Sequence, residues 1–230
     1  MKEQVLARMT NILAHRGPDG AGLHVDGPVG LGHRRLSIID LSLGGQPMGS
    51  DDGAVWITYN GEVYNYRELR QELTARGAAF RTGSDTEVIL RGYEAWGVGV
   101  LERLRGMFAF AIWDARRRQM LLARDRLGVK PLVYAWDGVC LRFASEIKAL
   151  LQDPDVPRDL DGEALRDYLA HLFVPAPRTI FRAIRKLPPA SYLVCRLDGG
   201  EPEVHRYWTL RPAPDPAVTE AEWVRRLDHM

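Results

Sequence analysis

Cysteine is scarce. The 230 residues carry only Cys140 and Cys195, far apart and outside any CxxC or metal-ligand spacing, which argues against a disulfide framework and against a zinc site. A reducing compartment, the cytoplasm, is the natural expectation. No apolar run approaches the roughly 20 residues of a membrane span, and the opening Met1-Lys2-Glu3-Gln4 lacks the apolar stretch of a secretion signal. Charge of one sign does not prevail either. With 31 basic and 30 acidic side chains the net charge is +1, so no global field draws the chain to nucleic acid or to an anionic membrane. The longest basic run, Arg116-Arg117-Arg118, falls between two apolar runs where a hairpin should turn. It reads as a solvated loop rather than a binding patch. Internal repeats and low-complexity tracts are absent, and the length suits one large domain plus the beginning of another.

What is present is patterned. Val5, Leu6, Met9, Ile12 and Leu13 recur at one-face helical spacing over 2–14, before Gly17-Pro18-Asp19-Gly20 stops the segment. A helix that opens at residue 2 without a cap points to an upstream element cut away. Across 22–39 and 54–59, short β-branched and apolar runs alternate with Gly, Asp and Pro, as strands joined by tight turns do. Leu69 and Leu73 predict a helix over 66–76, and Val88, Ile89, Tyr93 and Trp96 predict another over 86–96. Strand-length runs at 107–113, 119–124, 131–136 and 139–145 predict a second sheet. A helix over 161–172 and an extended segment over 191–196 follow. Arg211-Pro212-Ala213-Pro214-Asp215-Pro216 is a stiff linker, and 219–229 reads as a helix belonging to something further on. Grouped strands and grouped helices imply an α+β fold of two stacked, mainly antiparallel sheets flanked by helices, rather than a doubly wound parallel sheet.

Four clusters carry chemistry: His15-Arg16-Gly17-Pro18-Asp19-Gly20, Arg35-Leu36-Ser37-Ile38-Ile39-Asp40, Asn60-Gly61-Glu62-Val63-Tyr64-Asn65 and Gly83-Ser84-Asp85-Thr86-Glu87. One Arg, two acids and an Asn-Gly pair together offer a carboxylate clamp, an ammonium partner and donors for a developing oxyanion, which is what a pocket for a free amino acid needs. Each also has a plainer reading. Arg35 could pair with Asp40 or another acid, Asn60-Gly61 is the strongest short-range hairpin signal, and Ser84 or Asp85 ahead of Glu87 fits a helix N-cap. Arg34 reads as the solvated neighbour of Arg35. Cys140 and Cys195 lie in alternating apolar runs and read as buried packing residues, so neither cysteine supplies a nucleophile near the clusters.

Three further clusters follow in order: Gly106-Met107-Phe108-Ala109-Phe110, Arg124-Asp125-Arg126-Leu127-Gly128-Val129-Lys130-Pro131-Leu132 and Ala144-Ser145-Glu146-Ile147-Lys148-Ala149-Leu150. The whole set resembles the glutaminase domain of the class II glutamine amidotransferases, an amino-terminal-nucleophile family, and most closely that of the asparagine synthetases. The resemblance covers nearly the whole chain. It implies a four-layer α/β/β/α sandwich, incomplete at its amino terminus, with the glutaminase domain over 1–210 and a linker over 211–230 leading into an ATP-dependent synthetase domain. It implies that Arg35 holds the α-carboxylate of glutamine with its planar fork and that Asp85 meets the ammonium group. Leu36, Ser37, Ile38 and Ile39 would give backbone groups to the substrate while their side chains serve the core. Glu62 joins the substrate pocket, and the Asn60 carboxamide with the Gly61 N–H forms the oxyanion hole.

In that family the nucleophile is an amino-terminal cysteine on a short strand ahead of the first helix, with its own α-amine as proton acceptor. This sequence departs there. Either it is a shortened piece of an active enzyme, inactive as it stands, or a product that kept the pocket and lost catalysis. The exposed sheet edges and core surface that losing a buried strand would leave favour the first. The resemblance implies that the complete protein hydrolyses glutamine to glutamate and ammonia and passes the ammonia to an ATP-activated aspartate. No cofactor belongs to this chain; ATP and Mg²⁺ belong to the synthetase domain. An amidotransferase of an exopolysaccharide or other biosynthetic cluster, which Val174-Pro175-Ala176-Pro177-Arg178-Thr179-Ile180-Phe181 also resembles, and a non-catalytic glutamine-binding module are the alternatives. Expected partners are glutamine and a synthetase domain in cis, with a homodimer allowed and neither nucleic acid nor membrane.

Overall fold

The computed structural model describes residues 3–36, 44–215 and 217–229. The chain runs through helix α1 (Glu3–Asn11), strands β1 (Gly20–Asp26), β2 (Val29–Arg35), β3 (Met48–Gly49) and β4 (Val55–Val63), then helices α2 (Tyr66–Ala75) and α3 (Asp85–Trp96). A short α4 (Val100–Arg103) leads to β5 (Gly106–Asp114), β6 (Gln119–Arg124), β7 (Val133–Trp136) and β8 (Leu141–Ala144). After α5 (Ile147–Leu150) and α6 (Gly162–His171) come β9 (Ile184–Lys186), β10 (Ser191–Arg196), β11 (Glu203–Arg206) and α7 (Glu220–Asp228). Among the described residues no helix is long and apolar enough to cross a membrane.

Period-two alternation builds the layers. In β5, Phe108, Phe110 and Ile112 face Leu69 and Leu73 of α2 and Val88, Ile89 and Tyr93 of α3. The intervening Ala109, Ala111 and Trp113 face the opposite way, onto Val29 and Leu31 of β2 and Tyr134 of β7. Strand β7 repeats the device: Val133 and Ala135 turn away from that core toward Val5 and Met9 of α1 and Ala149 and Leu150 of α5. Helices, a six-stranded sheet ordered β11-β10-β6-β5-β4-β3, an inner strand layer and a second helix layer therefore succeed one another, every strand pairing antiparallel. This is the α/β/β/α sandwich that the family resemblance implies, but the four runs expected together in a second sheet divide: β5 and β6 join β4 in the six-stranded sheet, while β7 and β8 lie in the inner layer. The inner layer is in two pieces, a β1-β2 hairpin and a three-stranded β8-β7-β9 sheet.

Some expectations need correction. Strand β4 does not stop at 59 but runs through Asn60-Gly61 to Val63, because each of its residues pairs with one in β5. That rules out a hairpin turn at Asn60-Gly61. Cys140 lies in the turn before β8 rather than within a strand, and both cysteines are only half-buried. The Arg116-Arg117-Arg118 run is the β5–β6 turn as expected, paired to Asp52, Asp114 and Asp198. The short β3, β9, β11, α4 and α5 carried no sequence signal of their own.

Candidate active site

Beyond the two rungs it shares with β3, Met48 with Ile57 and Gly49 with Trp56, the outer edge of β4 has no strand beside it among the described residues. Two side chains stand in for one. The Gln46 carboxamide accepts from the Tyr59 N–H at 2.7 Å and donates to the Tyr59 carbonyl at 3.2 Å, as a neighbouring strand would. Two periods further on, the Asp85 carboxylate accepts from the Val63 N–H at 3.0 Å. Between them, by the same two-residue period, the Gly61 N–H points to this edge with neither group bonded to it. Glycine is required there: a Cβ would lie 2.2 Å from the Met107 carbonyl oxygen and 2.7 Å from the Phe108 Cα.

The other face of β4 looks into the sandwich. Thr58 meets His33 of β2, with Oγ1 3.1 Å from Nδ1, and Asn60 and Glu62 follow on the same face. Asn60, Gly61, Glu62, Asp85, Arg35 and Leu36 all line one groove of about 750 Å³, within the range of small-molecule sites. Arg35 ends β2, opposite Gly20. Leu36 departs from expectation: its side chain is 57% exposed at the groove rim rather than in the core, because β2 has already ended. Ser37, Ile38 and Ile39, and the Asp40 weighed as an ion-pair partner of Arg35, lie outside the described residues. Arg34 is half-buried rather than solvated, since the 15–20 turn packs on β2 and the Arg34 Nε donates to the Gly17 carbonyl at 3.0 Å.

Two acids of one cluster do different work. Ser84 is the N-cap of α3, its hydroxyl accepting from the Thr86 N–H at 3.1 Å, which releases Asp85 from capping. Glu87 is 0% exposed and receives the Arg81 N–H, the Thr82 N–H and the Thr82 hydroxyl, so it ties the loop ahead of α3 rather than facing a ligand. Asp85 receives the Tyr59 hydroxyl at 2.7 Å on the oxygen that also takes Val63, and it borders the groove.

His33 is held neutral: burial, then the neighbouring Arg35, lowers it to about 4. Because the Thr58 hydroxyl donates to the Gly32 carbonyl at 3.3 Å, the His33–Thr58 bond is satisfied with the proton on Nδ1, which leaves Nε2 an acceptor. Cys195 does not serve this end of the groove. Register runs from Cys195 through Met120 and Trp113 to Trp56, four residues along β4 from Asn60 and three strands across, about 13 Å by about 14 Å. Burial raises both thiols above their ordinary values, keeping them protonated.

Comparison with known proteins bears on the chain that carries this groove. A family model described as a glutamine amidotransferase domain matches residues 1–208. The chain belongs to the glutamine amidotransferase family. Asparagine synthetase [glutamine-hydrolyzing] 1 of Bacillus subtilis is 44% identical over 199 residues, spanning 86% of this chain and 31% of that protein. The amidase chry2 of Gibberella zeae is 39% identical across 87% of this chain and 29% of its own length. The amidotransferase chain thus spans about a third of the curated relatives it matches. Among solved structures, the glutamine phosphoribosylpyrophosphate amidotransferase of B. subtilis superposes with a TM-score of 0.62 at 21% identity, covering 90% of this chain and 47% of that one. That likeness shows the fold alone. Within this amidotransferase domain, sequence reasoning missed Gln46, Tyr59 and His33. The only signal for Tyr59 is its place next to Asn60.

Proposed function

We propose that this domain binds glutamine and, in the complete protein, releases its amide nitrogen as ammonia. The observation that carries the reading is the open position on β4: the Gly61 N–H at the strand edge and the Asn60 carboxamide beside it form a pair of donors for an oxyanion, with Asp85 one period away for an ammonium group. Arg35, across the groove on β2, takes the α-carboxylate in a two-pronged grip, and Glu62 and Leu36 wall the substrate. A cysteine thiolate attacks the side-chain amide carbon, the oxyanion is held by Asn60 and Gly61, and collapse expels ammonia with one proton, leaving a thioester. Water then attacks the thioester, giving glutamate and regenerating the thiol.

The thiolate comes from an amino-terminal cysteine on a strand seated between β2 and β8. Supporting this, β2 and β8 each have one strand neighbour among the described residues, and residues of both strands line the same groove. The ammonia goes to an aspartate activated with ATP and Mg²⁺ on a synthetase domain in cis, as the asparagine synthetase relatives suggest. The test is a glutaminase assay of the complete protein, repeated with aspartate and ATP-Mg²⁺. Glutamate without asparagine would replace the acceptor; no glutamate at all, with calorimetric glutamine binding retained, would make the domain a binding module.

A further inference from the structure

Asp85 has a neighbour that the proposed reaction leaves unused. Tyr59 faces the helix side of β4, is 5% exposed, and packs its ring in the core under α3. Its main chain is fixed by Gln46 on the strand edge, and its hydroxyl donates to Asp85 Oδ2 at 2.7 Å. The Val63 N–H donates to that same oxygen at 3.0 Å. One carboxylate oxygen therefore has two donors from one strand, while Oδ1 receives none from any described residue.

We propose that Tyr59 is a positioning residue, locking the Asp85 carboxylate so that Oδ1 is presented to the ammonium group of the substrate. The inference rests on reading Asp85 as that ammonium partner. A carboxylate in the first turn of a helix otherwise turns toward the helix's own free N–H groups; here Ser84 occupies the cap and Tyr59 supplies a different anchor. A phenol suits the task because it orients a carboxylate without cancelling its charge, whereas Lys or Arg at 59 would compete with the substrate's ammonium. Burial, then Asp85 itself, holds the phenol proton well above its ordinary range, so the donor persists at any working pH.

The test pairs two ligands that differ only at the group in question: L-glutamine and its des-amino analogue, glutaramic acid, titrated calorimetrically into the protein. The wild type should prefer glutamine. Tyr59→Phe should weaken glutamine about ten-fold and leave the analogue unchanged within about two-fold, and in an Asp85→Asn background the same change should do nothing further to glutamine. Equal weakening of both ligands would show a packing role and overturn the proposal, as would no weakening of either. A wild type that does not distinguish the two ligands would overturn the ammonium reading of Asp85, and with it this role. Should Tyr59→Phe fold poorly, 3-fluorotyrosine at 59, which keeps the ring and donates more strongly, should raise the preference for glutamine; an unmoved preference counts against the proposal.

Discussion

Two regions of this domain are each organised around a buried aspartate, and they end in opposite states. In the 124–132 loop, Asp125 is 1% exposed and accepts four main-chain N–H groups, from Phe108, Leu127, Val129 and Lys130. The Arg124 guanidinium closes the same loop by donating to the Lys130, Leu187 and Gly128 carbonyls, and Gly128 turns there at a φ of +70° that favours glycine. Both oxygens of Asp125 are engaged. At the groove end of β4, among the described residues, Asp85 has one oxygen engaged and one not, and the Gly61 N–H faces an edge with no strand beside it. Both stretches belong to the seven clusters read from the sequence. Saturation, rather than the motif, separates a residue that folds the chain from one that can meet a ligand.

The largest expected effect tests the closed region. Asp125→Ala strips four buried N–H groups of their acceptor, and at about 1–3 kcal/mol for each polar group left unsatisfied, with partial relaxation, the domain should lose about 3–4 kcal/mol. Urea unfolding measures it; a loss under about 1 kcal/mol would show that the loop is not a folding element. Next comes the open region. Asp85→Asn keeps an oxygen for Tyr59 and Val63 but removes the charge, so stability should change by less than about 1 kcal/mol while glutamine affinity falls about a hundred-fold. If the two aspartates behave alike, the comparison fails.

Much of the closed architecture was legible in the sequence and much of the open end was not, for a physical reason. Leu69 and Leu73 on α2, and Val88, Ile89 and Tyr93 on α3, are neighbours within a turn or two, so local spacing reports their burial. Asn60-Gly61 looks like a hairpin turn because the force that straightens it lies in Met107 to Ala109 of β5, some way down the chain. Gln46 acts as a piece of backbone, a role no residue type announces. Tyr59 reads as a core aromatic, and its hydroxyl acquires meaning only when Asp85, 26 residues later, is folded against it. Ser84 and Asp85 were both plausible caps, and only the geometry gives the cap to Ser84.

The open end should also be the more sensitive to pH. His33 is lowered from 6.5 to about 4, chiefly by burial, so between these values the unfolded chain binds a proton that the folded chain refuses. Its contribution to stability is complete above about pH 6.5 and is lost as the pH falls through about 4, by roughly 2 kcal/mol after allowing for solvent access to the groove. Urea midpoints at pH 7 and pH 4.5 should diverge in the wild type and converge part-way in His33→Gln. An equal divergence in both would place the acid sensitivity elsewhere.

The smallest effect bears on the boundary between the two kinds of region. Gln46 closes part of the β4 edge, as Asp125 closes its loop, yet it stands one rung from the position left open at Gly61. Gln46→Ala removes two strand-like bonds to Tyr59 at a half-buried edge, so stability should fall by about 1 kcal/mol. If the edge merely needs covering, glutamine affinity should follow stability and hardly move. If Gln46 holds Tyr59, and through it Asp85, at the right height, affinity for glutamine should drop several-fold while affinity for glutaramic acid stays put. The second pattern is the one expected, because Tyr59 joins the two residues through one rigid ring: its main chain is held by Gln46 and its hydroxyl by Asp85.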